Sequence, residues 1–496
     1  MQRAGLAKRA KPALTVPAAG LPSAAMKLRL IPAALALVAS AAFGDALPGP
    51  VAQALARAGL PQASAALYVR EVDASRPTAS FNASRPMNPA SVMKLVTTFA
   101  ALELLGPTYT WKTEAYPLGR LQDGVLDGDL LLKGYGDPRL TIEHFWLFLR
   151  SLRARGVGEI RGDLVLDRSY FDVADHDPAK FDGEGLRAYN VGADALLVNY
   201  KAVRFFFLPN ANAQGVAVVA EPQLAQLEVA STVRLTNGPC GDWRAGLRYD
   251  LQQKSAAVRA SFSGSMPASC GERVWNLAPL PHDQYVYGVF KVLWTELGGT
   301  LHGGLRDGRV PAGATPLASY ESPGAAEVLR DMNKFSNNVM ARQVFLTLSA
   351  ETLKLPGRYD RSQRAVQSWL AARKLEVPEL VIENGSGLSR SDRITAEGLG
   401  RLLVAAYRSP VMPEFIATLP LVAFDGTMKK RLATDGVAGQ AHIKTGSLAD
   451  VRSMAGYVLD RNGRRFAVVF LVNHENAGAS QGAQDALLRW VHESAR

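Results

Sequence analysis

Two cysteines, Cys240 and Cys270, are all that this chain of 496 residues carries. That is too few for a disulfide framework. In an exported protein the pair reads as one disulfide closing a loop within a single module, with two buried free thiols as the alternative. Histidine is also scarce. The seven histidines, at 144, 176, 282, 302, 442, 474 and 492, show no metal-ligand spacing, so neither a metal site nor a cofactor is expected. Low-complexity tracts and repeats of solenoid length are missing as well. The longest leading apolar run, Leu30 to Val38, is too short for a comfortable membrane span.

That run follows Met26-Lys27-Leu28-Arg29 and precedes small residues through Gly44. Basic, apolar and small-residue parts in this order read as an export signal, cleaved after Ala41 or Gly44. Met26 is then a candidate start. Six positive charges and no acid fall in residues 1–44, which leaves about +5 of the formal +11 for the remainder. So small a surplus does not argue for nucleic acid. It is compatible with an anionic polymer such as a cell wall.

The remaining length is enough for two or three domains. A helix over Pro48 to Gly59 and a strand over Ser64 to Val72 come first, with Ala65, Leu67 and Val69 on one strand face. A helix is predicted over Ser91 to Leu105, stopped by Gly106-Pro107. From Thr110 to Leu277 the texture is β-rich, with short strands at 127–132, 162–166, 195–198, 216–219, 227–235 and 256–262 and one helix over Ile142 to Arg155. This segment reads as an insertion. Helical texture then returns over Asp283 to Leu297, Glu321 to Leu348, Arg361 to Arg373 and Thr395 to Arg408. Two strands, Ser453 to Leu459 and Arg465 to Val472, and a helix over Gln481 to Glu493 close the chain. Such an order describes a sheet built from both chain ends and covered on both faces.

Three short segments carry chemistry. Ser91 and Lys94 stand three apart on a helix, so they share a face. A serine hydroxyl needs a base to act as a nucleophile, and a lysine amine serves if burial or nearby positive charge lowers its pKa. Ser336-Asn337-Asn338 offers a hydroxyl to relay a proton and an amide, Asn338, to hold a carbonyl. Lys444-Thr445-Gly446-Ser447 precedes an alternating strand and offers a cation and hydroxyls for a carboxylate, with Gly446 bare where substrate would approach. Each segment also has a plain structural reading: a helix start, a helix cap and a turn.

The order Ser-x-x-Lys, Ser-x-Asn, Lys-Thr-Gly resembles the signature of active-site-serine enzymes of the penicillin-binding type. Gly134-Tyr135-Gly136-Asp137-Pro138, Glu383 to Arg390 and Gly426 to Arg431 extend the similarity across most of the chain. The chain is identified as a member of the class C low-molecular-mass penicillin-binding proteins, the D-alanyl-D-alanine carboxypeptidase/endopeptidase family of serine peptidases. The gap of 245 residues between Ser91 and Ser336 fits, because family members carry extra domains there. The resemblance implies an α/β fold: a penicillin-binding/serine β-lactamase-like transpeptidase domain, an antiparallel sheet covered by helices, interrupted by a β-rich insertion of one or two small domains. Residues 45–110 and 279–496 would form the discontinuous peptidase domain and 111–278 the insert, with a further domain at about 202–262.

The resemblance further implies that Ser91 attacks a D-Ala–D-Ala bond or a D-Ala–diaminopimelate cross-link of peptidoglycan and that Lys94 takes its proton. Ser336, beside Lys444, would protonate the leaving amine. The backbone N–H groups of Ser91 and Ser447 would hold the oxyanion. Lys444, Thr445 and Ser447 would bind the substrate carboxylate and Asn338 its amide. β-Lactams would acylate the same serine and stall. Asp182 and Glu184 are weaker candidates for the amino end of the substrate side chain, set against a plain exposed acidic turn. The implied location is the periplasm, with no transmembrane anchor in the mature chain, and a homodimer is an allowed assembly. A β-lactamase would share the fold and acylation chemistry. The long insert speaks against it, as does Ser336-x-Asn338 in place of the class C β-lactamase tyrosine motif. A non-catalytic wall-binding protein would not need Ser91, Lys94, Ser336 and Lys444 together.

Overall fold

The computed structural model describes residues 46–174, 176–210, 215–253 and 257–494. The leader read at 1–44 lies outside the described residues. The chain opens with α1 (Gly49–Arg57), β1 (Ala65–Glu71), β2 (Ala79–Phe81) and α2 (Lys94–Leu104). Side chains of β1 alternate between two cores. Ala65, Leu67 and Val69 join one cluster, and Ala66 and Tyr68 join the other. A strand apolar on both faces needs cover on both.

Two further sheets follow. The first begins with β3 (Lys112–Gln122), β4 (Val125–Gly134), β5 (Glu159–Ile160) and β6 (Leu164–Asp167), with α3 (Ile142–Ala154) between β4 and β5 in the chain. The second comprises β7 (Val203–Asn210), β8 (Gly215–Glu221), β9 (Leu227–Ser231), β10 (Arg234–Thr236), β11 (Leu247–Gln253), β12 (Val258–Pro267) and β13 (Arg273–Leu277). Cys240 and Cys270 are joined as a disulfide, and both lie within the span of this sheet. After α4 (His282–Glu296) the chain returns to the first of these sheets. There β14 (Thr300–Leu301), β15 (Leu305–Asp307) and β16 (Ala318–Glu321) pair with β5, β6 and β3. The sequence reading ends the insert at 278, whereas the sheet begun by β3 takes strands up to Glu321. We propose that the interrupted domain resumes with α5 (Ala325–Lys334).

The strand expected at 195–198 is not one. Ala195, Leu196, Leu197 and Val198 are buried in irregular backbone. Side chains supply the partners that a ladder would have given. Asp194 Oδ1 accepts from Leu196 N at 2.9 Å, while Gln343 bonds both the N–H and the carbonyl of Asp194 at 3.0 and 2.8 Å.

The last third holds α6 (Asn338–Leu353), α7 (Tyr359–Ala372), α8 (Ala396–Tyr407), α9 (Met412–Thr418), β17 (Ala441–Ser447), β18 (Val451–Leu459), β19 (Arg465–Asn473) and α10 (Gln481–Ser494). Strands from both chain ends make one antiparallel sheet in the order β17-β18-β19-β1-β2. Val51 and Leu55 of α1 with Leu487, Leu488 and Val491 of α10 cover one face. Side chains of α2, α5, α6 and α8 cover the other, among them Phe99, Val328, Val344 and Leu399. This is the α/β architecture expected, with the additional sheets looping out between α2 and α5. Among the described residues no helix is long and apolar enough to cross a membrane.

Three local expectations change. The helix predicted over Glu321 to Leu348 is two helices, α5 and α6, broken at Ser336. Lys444-Thr445-Gly446-Ser447 precedes a strand, β18, as expected, but is itself part of another, β17, at the sheet edge. β18 is buried almost throughout rather than alternating, because both of its faces are covered.

Candidate active site

Ser91 sits in a 3₁₀ turn, Ala90–Met93, that leads into α2 at Lys94. The tight turn puts the two side chains together: Lys94 Nζ donates to Ser91 Oγ at 3.0 Å. Lys94 also donates to Asn338 Oδ1 at 2.7 Å and to the Ser386 carbonyl at 2.5 Å. All three partners accept, so the amine is held in place from three sides. Burial, then the positive charges of Lys444 and Arg342, hold the Lys94 pKa well below the usual lysine range, and Asp392 opposes them. An amine so placed gives up its proton readily and can then take one from Ser91.

Ser336 reaches the same site because the helix breaks there. It takes a left-handed φ of 55°, and Asn337 caps α6 by accepting from Val339 N and Met340 N at 2.9 and 3.1 Å. Lys444 Nζ donates to Ser336 Oγ at 2.8 Å and to the Thr445 carbonyl at 2.7 Å. Burial pulls the Lys444 pKa down to about 7. Two lysine–serine pairs therefore share one pocket, with Asn338 beside the first.

β17 closes the site along its free edge. Ile443 N donates outward to Pro420 O at 2.8 Å, and Ala441 O accepts from Val422 N at 2.9 Å. Backbone groups alternate in direction along an antiparallel strand, so Thr445 and Ser447 turn theirs to that same outer side. Ser447 is exposed. Gly446 also has a packing role. A Cβ there would lie 2.2 Å from Ser453 Oγ, 2.7 Å from Pro89 O and 2.9 Å from Ser91 N. The bare position lets β17 pack against the serine turn, which Ser453 also ties by donating to Pro89 O at 2.6 Å.

The structure thus brings Ser91, Lys94, Ser336, Asn338, Lys444, Thr445, Gly446 and Ser447 together. The loop carrying Asp182 and Glu184 arrives at the same place. Phe181 packs with Ala90, Leu388 and Leu448, and Tyr189 O accepts from Asn338 Nδ2 at 3.4 Å. Both acids are exposed, and their carboxylates are engaged within the loop. Asp182 accepts from Tyr189 Oη and Asn190 Nδ2, each at 2.8 Å, and Glu184 pairs with Arg187 at 3.1 Å.

Sequence reasoning missed Arg342 and Asp392. Arg342 looks like any residue of α6, yet its buried guanidinium bonds Val191 O and raises the positive potential around Lys94. Asp392 is buried behind the 383–390 loop. It accepts from Glu383 N at 2.8 Å through Oδ1, and Oδ2 has no hydrogen-bond partner. Burial pushes its pKa up to about 7. A carboxyl whose folded pKa exceeds the unfolded value is stabilising while protonated, and that contribution is lost as pH rises through about 7. Asp392→Asn keeps a neutral group there. The melting temperature of this variant should exceed that of the wild type at about pH 8, and the gap should shrink at about pH 5. An equal gap at both values would show that Asp392 does not titrate in this range.

Residues 47–494 match the model of the D-Ala-D-Ala carboxypeptidase 3 (S13) family. The chain is 24% identical over 422 residues to D-alanyl-D-alanine carboxypeptidase DacB of Haemophilus influenzae, covering 84% of this chain and 87% of that one. It is 29% identical over 412 residues to a D-alanyl-D-alanine carboxypeptidase of Actinomadura sp., covering 80% and 76%. The crystal structure of penicillin binding protein 4 from Haemophilus influenzae superposes with a TM-score of 0.75 at 23% identity, over 89% of this chain and 99% of that one, so the two share a fold. With a family match running from the residue before Pro48 to the last helix, the chain belongs to the D-Ala-D-Ala carboxypeptidase 3 (S13) family of serine peptidases.

Proposed function

We propose that Ser91 is the nucleophile of a serine-type DD-carboxypeptidase and endopeptidase acting on peptidoglycan peptides, with Lys94 as its base. The family match supports the activity. The observation that carries the residue assignment is the 3.0 Å contact between Ser91 Oγ and a buried Lys94 amine of lowered pKa. In acylation Ser91 Oγ bonds to the carbonyl carbon of the penultimate D-Ala, and its proton passes to Lys94. Negative charge on the carbonyl oxygen is met by the N–H groups of Ser91 and Ser447. The C–N bond breaks as Ser336, fed by Lys444, gives a proton to the leaving amine. Water then cleaves the ester and frees Ser91.

Thr445, Ser447 and Lys444 bind the terminal carboxylate in this reading, and Asn338 holds the substrate amide while fixing Lys94. β-Lactams enter by the same acylation. The site of action is the periplasm. The test is product analysis: a pentapeptide ending in D-Ala–D-Ala should release D-Ala, and a D-Ala–diaminopimelate cross-linked dimer should yield two monomers. If pure, folded protein leaves both substrates intact, the proposal fails.

A further inference from the structure

Among the described residues, the two most exposed large hydrophobic side chains are Phe335, at 73%, and Phe424, at 62%. Scattered exposed apolar residues are ordinary, but two exposed phenylalanines on adjoining segments are not. Phe335 is the residue before Ser336, at the end of α5. Phe424 is the residue before Asp425. The two segments are tied, since Lys334 Nζ donates to Asp425 Oδ2 at 2.6 Å. The Phe424 segment also reaches β17, where Thr445 Oγ1 donates to Thr427 Oγ1 at 2.8 Å. The segments that carry Phe335 and Phe424 therefore adjoin Ser336 and Thr445, and the Phe424 ring lies over Gly439, just before β17.

The chemistry of the site says what passes over these segments. A leaving amine must lie within reach of the group that protonates it. With Ser336 and Lys444 in that role, the leaving group lies on the Phe335–Phe424 side. In carboxypeptidase turnover that group is free D-alanine, too small to extend past the residues that hold its carboxylate. In cross-link cleavage it is the side-chain amine of a diamino acid, still joined to its own stem peptide and glycan. That strand continues outward over these segments. Rings in water are a ready surface for its apolar stem and the C–H faces of its sugars.

We infer that Phe335 and Phe424 form an aromatic rim that binds the leaving strand of a cross-linked peptidoglycan substrate, and so favours endopeptidase over carboxypeptidase turnover. The inference rests on the function proposed above.

The experiment measures kcat and KM of the full chain on the pentapeptide and on the cross-linked dimer. Wild type is compared with Phe335→Ser, Phe424→Ser, the double variant and Phe335→Tyr. The expected result is that kcat/KM of the double variant falls about tenfold further on the dimer than on the pentapeptide, mostly through KM. Phe335→Tyr should restore most of the loss. Penicillin acylation, in which the leaving amine stays tethered, separates strand binding from damage to the site. Equal losses on both peptides and in acylation would overturn the inference, because they would mean a structural role. Dimer cleavage that survives both substitutions would overturn it too. Phe424→Ser, which is remote in sequence from Ser336, keeps the test valid if Phe335→Ser disturbs its neighbour. A wild type inactive on both peptides would instead sink the underlying function.

Discussion

Ser91→Ala should abolish the penicillin adduct seen by intact-protein mass, while the wild type gains one drug equivalent. Ser91 Oγ accepts from a buried lysine amine of depressed pKa at 3.0 Å, and the Ser336–Lys444 pair lies beside it. Lys94→Ala should slow acylation by about 10³-fold, the range expected for removing a general base. Its loss removes more than a proton acceptor, because Asn338 Oδ1 and the Ser386 carbonyl lose their shared donor. Both variants should be scored by the second-order acylation rate, with circular dichroism to confirm folding. An adduct that persists on Ser91→Ala would move the nucleophile elsewhere. Rapid return of the wild type to free mass with consumed drug would indicate a β-lactamase.

Gly387→Ala should be nearly as damaging, although residue 387 touches no substrate in the proposed mechanism. Gly387 has a φ of +77°, where an L side chain is strained. A Cβ there would lie 1.9 Å from the Ala90 carbonyl oxygen and 2.9 Å from Ser91 Cα. Backbone atoms cannot rotate away, so either the loop or the serine turn must shift. The preceding residue is Ser386, whose carbonyl holds Lys94, so the shift is delivered straight to the base. A displacement of about 1 Å at such a site costs about 10²-fold in rate. The strain itself should cost about 1 to 3 kcal/mol of stability. Acylation kinetics and a melting curve together check this. Wild-type acylation in a folded Gly387→Ala protein would show that the 383–390 loop does not position Lys94.

The three motifs were legible because their chemistry sits in short stretches of sequence. Ser91 and Lys94 needed only helical spacing to be paired, and the structure pairs them. The sheet made from both chain ends was legible too, since β1, β18 and β19 are strongly apolar and flanked by clear turns. The break at Ser336 was legible only as an alternative, the helix-cap reading of Ser336-Asn337-Asn338. Residues 325 to 348 contain no Pro or Gly, and local propensity alone would run one helix through them. Lys444 bonds the Ser336 hydroxyl across 108 residues, and Asn337 caps the new helix, so tertiary contacts support the left-handed residue. The shortest strands were also hidden. β14 and β15 are two and three residues long, and only their parallel pairing with β5 and β6 marks them as strands.

By itself the sequence determined the chemical groups, their order and the presence of a long β-rich insertion, because residue type and local periodicity encode those directly. Only the tertiary structure decided which groups meet and how readily each gives up its proton. The Lys94 pKa depends on burial and on Lys444 and Arg342, which lie hundreds of residues away in the chain. Electrostatic energy follows distance through space and the polarity between charges, and neither is written in the linear order of residues.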